Sequence, residues 1–143
     1  MRLLVVENDS KGILKQVLVE VEDPKSKLPV LKQMVGIMES NNGIGLTANQ
    51  VGLLDRMFIF RLKTGKVEFA INPEIIKSSK RRAAMNEGCL SYPNKQVQVS
   101  RSVEIKVRYH NGHTTIIKTL KGMDARVFLH EFDHCEGECI LGK

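Results

Sequence analysis

Residues 123–137 read MDARVFLHEFDHCEG, and the rest of the chain has to be arranged around them. The segment predicts a helix from about Met123 to Glu136, with Gly137 as its stop. Within it lies His130-Glu131-Phe132-Asp133-His134. Helical residues at i and i+4 share a face, so both imidazoles reach one metal ion. Glu131 then stands beside a water held by that ion. Because the ion lowers the water's pKa toward ~7, a neighbouring carboxylate can take its proton at neutral pH.

Two ligands do not complete such a site, which takes three protein ligands and an open position. Nine residues follow His134, leaving no room for a further helix with a downstream ligand, so the third ligand is sought upstream or in those last residues. Cys89, within Asn86-Glu87-Gly88-Cys89-Leu90-Ser91-Tyr92-Pro93, is the best upstream candidate, because a thiolate binds borderline divalent metals strongly. Cys135 and Cys139 compete with it but read better as packing residues. His110 and His113 flank Asn111-Gly112 and read as hairpin-tip residues.

Working further outward, the pattern is rich in strands. Val103, Ile105, Val107 and Tyr109 alternate with polar residues, and Asn111-Gly112 predicts a hairpin pairing them with Thr114–Leu120. Met57–Leu62 and Val67–Asn72 flank Thr64-Gly65 as a second hairpin, with Pro73 expected to end it. Leu31, Met34, Val35 and Met38 form one helical stripe that Asn41-Asn42-Gly43 terminates, while 23–29 reads as a loop and 86–93 as a turn. Leu3–Val6 and Val17–Val21 are expected to be short strands. The order predicts an α+β fold with helices packed on antiparallel or mixed sheets, in a single domain spanning 1–143.

Composition sets the class. The 143 residues are 42% hydrophobic and 27% charged, ordinary for a globular domain able to bury a core without disulfides. Three cysteines are an odd count, which argues against a disulfide framework and for a reducing cytosol. The net charge is +6, with a basic cluster from Lys77 to Arg82. There is no nucleic-acid signature with it, and aromatic residues are only 5% of the chain, too sparse for base stacking. The apolar run Leu3–Val6 is too short for a signal or a membrane span.

One more stretch carries chemistry: Gly43-Ile44-Gly45-Leu46-Thr47-Ala48-Asn49-Gln50. It mimics a dinucleotide fingerprint, but a helix precedes it where that motif needs a strand. Its glycines can instead lay bare backbone against an extended peptide, and the Gln50 amide can face an oxyanion.

Together GIGLTANQ at 43–50, EGCLS at 87–91 and HEFDH at 130–134 resemble the peptide deformylase family, whose motifs are G-φ-G-L-A-A-x-Q, E-G-C-φ-S and H-E-x-D-H (φ apolar) in that order. The resemblance implies an α+β fold with strands around a central helix carrying the histidines. It implies hydrolysis of the N-formyl group from formylmethionyl nascent peptides, releasing formate. Cys89, His130 and His134 would then hold one divalent ion, ferrous iron with nickel, cobalt or zinc as substitutes. Glu131 would move the proton, and Gln50 with the backbone N–H of Leu90 would hold the formyl oxygen. Gly43 and Gly45 would align the peptide, with Ile44, Met85 and Val127 lining a methionine pocket. Arg101 paired with Glu87 or Asp133 would brace the site.

The chain departs from the family pattern at several positions. Thr47 stands where Ala is usual, Leu129 where Gln is common before the first histidine, and Cys135 where Leu is common after the second. Gln96 takes a slot that is often basic, with Lys95 beside it. A C-terminal ribosome-docking helix is expected to be absent. The expected partners are nascent formylated chains met transiently near the ribosome, with no membrane and no specific nucleic acid. A cytoplasmic monomer of bacterial, phage or organellar origin is expected.

Overall fold

The computed structural model describes residues 1–142. Helix α2 (Gly122–Cys135) buries Ala125, Val127, Phe128, Glu131, His134 and Cys135. It ends in a Schellman arrangement: the N–H of Glu138 donates to the Asp133 carbonyl and that of Gly137 to the His134 carbonyl. Gly137 has φ +74°, and a β-carbon there would lie 2.5 Å from the Lys15 carbonyl oxygen, so both conformation and space demand glycine.

Five strands form an antiparallel sheet in the order β1 (Gly45–Thr47), β2 (Met57–Arg61), β3 (Val67–Ser78), β6 (Glu104–His110), β7 (Thr115–Lys121). A separate antiparallel ribbon pairs β4 (Arg82–Cys89) with β5 (Tyr92–Ser102). Helix α2 packs against β1, β2, β5, β6 and β7, so it is the central element and the fold is α+β, as expected. The core between helix and sheet is aromatic. Phe128 of α2 meets Phe58 and Phe60 edge-on, with centroids 4.9 and 5.4 Å away, the geometry that ring quadrupoles favour. Helix α1 (Leu28–Ser40) covers β1 and β2 with Leu31, Met34 and Met38 buried, and Pro29 sits in its first turn, where a missing N–H costs nothing. Both expected hairpin turns form, at Thr64-Gly65 and Asn111-Gly112.

Four expectations are corrected. Residues Leu3–Val6 do not form a strand, because the N–H groups of Leu4 and Val6 donate to the carbonyls of Gln50 and Ser91, which lie in the 3₁₀ turn Ala48–Val51 and in the Leu90-Ser91 turn rather than in a strand. Val17–Val21 does not alternate, because Leu18 and Val21, three positions apart, are buried while Val17, Val19 and Glu20 are exposed, and it makes only a single bridge, Val19 to Asp55. Pro73 does not stop β3: the strand carries a register shift between Ile71 and Glu74, and a bulge accommodates a residue without an N–H. Residues 86–93 are not one turn, because β4 and β5 run through them with only the Leu90-Ser91 connection between. In addition, 24–27 forms a short 3₁₀ turn rather than plain loop. Among the described residues, no helix is long and apolar enough to cross a membrane.

Candidate active site

His130 and His134 lie one turn apart on α2 with ring centroids 5.2 Å apart. Cys89 closes β4 beside them, its Sγ 3.3 Å from His134 Nε2. One donor atom from each of the three lies within 4.8 Å of the others. A thiolate with two imidazoles is a donor set for borderline ions such as Fe(II), Zn, Ni or Co, and this gathering of donors fits a metal ion. Cys135 is buried in the core and Cys139 stands outside the trio. His113 is exposed at the hairpin tip, and His110 accepts from the Gly112 N–H there.

Glu87 organises the surroundings. Its Oε1 lies 2.9 Å from His130 Nδ1 and 2.9 Å from Arg101 Nη2, and its Oε2 accepts from Arg101 Nε at 2.7 Å and Arg126 Nη1 at 2.6 Å. Arg101 also reaches Asp133 Oδ2 at 2.9 Å, so it braces both carboxylates rather than one. Burial alone would raise the Glu87 pKa, but His130 and the two guanidiniums outweigh it and hold the carboxyl well below the usual range. A carboxylate on the far nitrogen of a ligating histidine fixes its ring orientation.

The two histidines are driven apart electrostatically. Burial disfavours the His130 cation, yet its contacts with Cys89 and Glu87 and the charge of Glu131 push its pKa up to about 10. Burial, followed by the positive charges of His130 and Arg101, pulls His134 down to about 3, leaving a neutral imidazole with a lone pair to offer. His134 Nδ1 and Asn49 Oδ1 are both buried without a partner.

Glu131 is buried on the same helix, and burial raises its pKa against the lowering pull of His130, the Thr47 hydroxyl and Arg101. Its Oε1 accepts from Thr47 Oγ1 at 2.8 Å, and its Oε2 lies 4.0 Å from His130 Nε2. Gln50 sits in the tight turn Ala48–Val51 after β1. Its Oε1 accepts the Thr47 N–H at 2.9 Å; its Nε2 donates to Ser91 Oγ at 3.1 Å and stands 3.6 Å from Cys89 Sγ.

These groups open onto a cavity of about 600 Å³. Gly43, Ile44 and Gly45 form one wall; Met85, Leu90 and Val127 contribute apolar surface; Gln50, Cys89, His130 and Glu131 supply the polar end. His134 lies behind, nearly fully buried. Lys95 and Gln96 also border the cavity. Cys89, His130, Glu131, Gln50, Leu90, Gly43, Ile44, Gly45, Met85 and Val127 therefore border one cavity, with His134 behind it. Sequence reasoning missed Arg126, which is buried and also donates to the Val99 and Ala83 carbonyls. It also missed Ser91, although Ser91 stands inside the EGCLS stretch. Leu129 packs against the core and Cys135 lies in it, as their packing reading expects.

Comparison with known proteins agrees with this geometry. The family model described as polypeptide deformylase matches residues 2–143. The peptide deformylase of Thermotoga neapolitana is 40% identical over 114 residues, covering 79% of this chain and 69% of that protein. The crystal structure of peptide deformylase from Thermotoga maritima superposes with a TM-score of 0.93 at 33% identity, covering 99% of this chain and 95% of that one. A probable peptide deformylase from Synechococcus phage S-SSM7 gives a TM-score of 0.91 at 31% identity, covering 99% and 98%. With fold, donor trio and family model in agreement, the chain belongs to the polypeptide deformylase family, metal-dependent hydrolases that remove the N-formyl group from nascent peptides.

Proposed function

We propose that residues 1–143 act as one catalytic domain that hydrolyses the formamide of N-formylmethionyl peptides, with Cys89, His130 and His134 as the metal ligands. The observation that carries this is the convergence of those three donors with Glu131 at one end of a partly apolar cavity. A divalent ion held there, ferrous iron with nickel, cobalt or zinc as substitutes, would act as a Lewis acid and lower the pKa of a water toward ~7. Glu131 takes a proton from the attacking water and delivers it to the amine nitrogen as the C–N bond breaks. The water's oxygen ends on formate, and the peptide leaves with a free N-terminus.

Gln50 Nε2 and the Leu90 N–H hold the formyl oxygen as charge develops on it. Loss of one such donor typically raises a barrier by about 2.7–4 kcal/mol. The methionine side chain enters the apolar part of the cavity at Ile44, Met85 and Val127, and the peptide backbone runs along Gly43 and Gly45. Nascent chains are met transiently near the ribosome by a cytoplasmic monomer that engages neither membrane nor a specific nucleic acid.

The test is formate release from a formyl-Met tripeptide by protein purified without oxygen and loaded with iron or nickel. Metal-dependent release, abolished by a chelator, is expected. No release from folded, metal-loaded protein would overturn the proposal in favour of a peptide-binding role.

A further inference from the structure

Thr47 stands where the resemblance pattern has Ala, and its side chain is fully buried. Its Oγ1 lies 2.8 Å from Glu131 Oε1 and 3.1 Å from the Glu131 carbonyl oxygen. A hydroxyl has one proton to give, and the shorter contact, to the carboxylate, is also the stronger acceptor. The other carboxylate oxygen is placed differently. Oε2 lies against Gly45, where a β-carbon would come within 2.5 Å of it, and 4.0 Å from His130 Nε2. The two oxygens of Glu131 thus have distinct surroundings, one tied to Thr47 and one beside the metal ligands.

Thr47 is itself well fixed. It pairs with Phe58 in the β1–β2 ladder, and its N–H donates to Gln50 Oε1 at 2.9 Å. One residue therefore touches both Glu131, through its side chain, and Gln50, through its backbone.

We propose that Thr47 is a positioning residue for the hydrolysis: its hydroxyl anchors Glu131 Oε1 so that Oε2 alone is presented to the cleft for proton transfer. A glutamate side chain reaches its carboxylate through three rotatable bonds, and small misplacement of a reacting group is costly. Gly45 blocks motion on one side, and the Thr47 hydroxyl fixes the other. An alanine at 47 leaves Oε1 without this donor, so the anchor is a property of this chain rather than of the quoted motif. The proposal rests on Glu131 being the proton-transfer group.

The experiment compares kcat and KM for a formyl-Met tripeptide in the full, metal-loaded chain for wild type, Thr47→Val, Thr47→Ser and Glu131→Ala. Thr47→Val keeps the shape and removes the hydroxyl. It is expected to lower kcat on the order of tenfold, the scale of one hydrogen bond to a charged group, with KM and bound metal unchanged. Thr47→Ser restores the hydroxyl and is expected to recover most of kcat. A space-filling role would instead leave Val active and Ser impaired, and either result overturns the proposal. If Val does not fold, Thr47→Ala carries the same expected kcat loss, and wild-type turnover there overturns it equally. Wild-type turnover in Glu131→Ala overturns the prior reading of Glu131 itself, so the two failures are distinguishable.

Discussion

Gly45 and Glu131 touch so closely that no side chain fits between them: a β-carbon on Gly45 would lie 2.5 Å from Oε2, 2.8 Å from Cδ and 2.9 Å from Cγ. The carboxylate has no easy retreat, since Glu131 is buried and Oε1 is held by Thr47. Gly45→Ala is expected to displace the carboxylate and lower kcat on the order of a hundredfold, the scale of a 1 Å misplacement. The metal ligands sit elsewhere on α2 and β4, so bound metal is expected to stay. Steady-state kinetics with metal analysis decide it; a normal kcat would mean that Glu131 relocates without consequence.

Cys89 is the only sulfur in the donor trio. Cys89→Ala leaves two imidazoles, one of them buried and neutral, and removes the softest donor. Metal affinity is expected to fall by more than the roughly 10–100-fold typical of losing an outer partner. Competition with a chromophoric chelator measures this, and turnover at limiting metal falls with it. Affinity equal to wild type would shift the third ligand to another residue.

The sequence showed the parts of the fold whose signals are local. The i, i+4 histidines, the Thr64-Gly65 and Asn111-Gly112 turns and the stripe from Leu31 to Met38 each depend on neighbours within a few positions. The β4–β5 ribbon was illegible because Arg82–Asn86 is exposed throughout, leaving no alternation for a pattern to register. Val17–Val21 misled in the opposite sense, since its apolar residues look like a strand, yet the buried pair Leu18 and Val21 is spaced by three and its partner at Asp55 offers a single bridge. At the site, three short motifs named the donors and Glu131. Arg126 escaped because a buried arginine on a helix looks like a solvated one until Glu87 and two carbonyls are brought to it.

Glu87 neutralises a cluster of three groups that are positive or become so: Arg101, Arg126 and His130. Removing one partner of a buried charge network typically costs about 3–5 kcal/mol, because the remaining charges stay buried. Glu87→Ala is expected to destabilise the metal-free protein on that scale in urea unfolding. The pH dependence follows from the lowered pKa of Glu87. A carboxylate depressed in the folded state binds protons more weakly there than in the unfolded chain, so its stabilisation is complete above the unfolded value of 4.5 and is lost as pH falls toward the folded pKa. The stability gap between wild type and variant is therefore expected to shrink below about pH 4.5, and, because Glu87 also helps raise the His130 pKa, to narrow as pH rises from 6.5 toward about 10. A gap that widens as pH falls below 4.5 would contradict this sign.

Asn72 joins the N-terminal segment to the sheet. Its side chain accepts from the Val21 N–H at 2.8 Å and donates to the Val21 carbonyl at 2.8 Å. It does this from φ +52°, the left-handed region that costs most L-residues roughly 1–2 kcal/mol. Asn72→Ala loses both bonds and bears the full conformational strain. Its expected cost is about 2–4 kcal/mol, combining that strain with the unpaired Val21 groups. Asn72→Gly loses the same bonds but adopts the conformation freely, at the expense of a floppier unfolded chain. It is therefore expected to be about 0.5–1 kcal/mol more stable than the alanine variant while still below wild type. Urea midpoints of the three proteins rank these outcomes. Glycine at or below alanine would show that the positive φ carries no strain, and alanine equal to wild type would show that the Val21 clip contributes nothing to holding the segment in place.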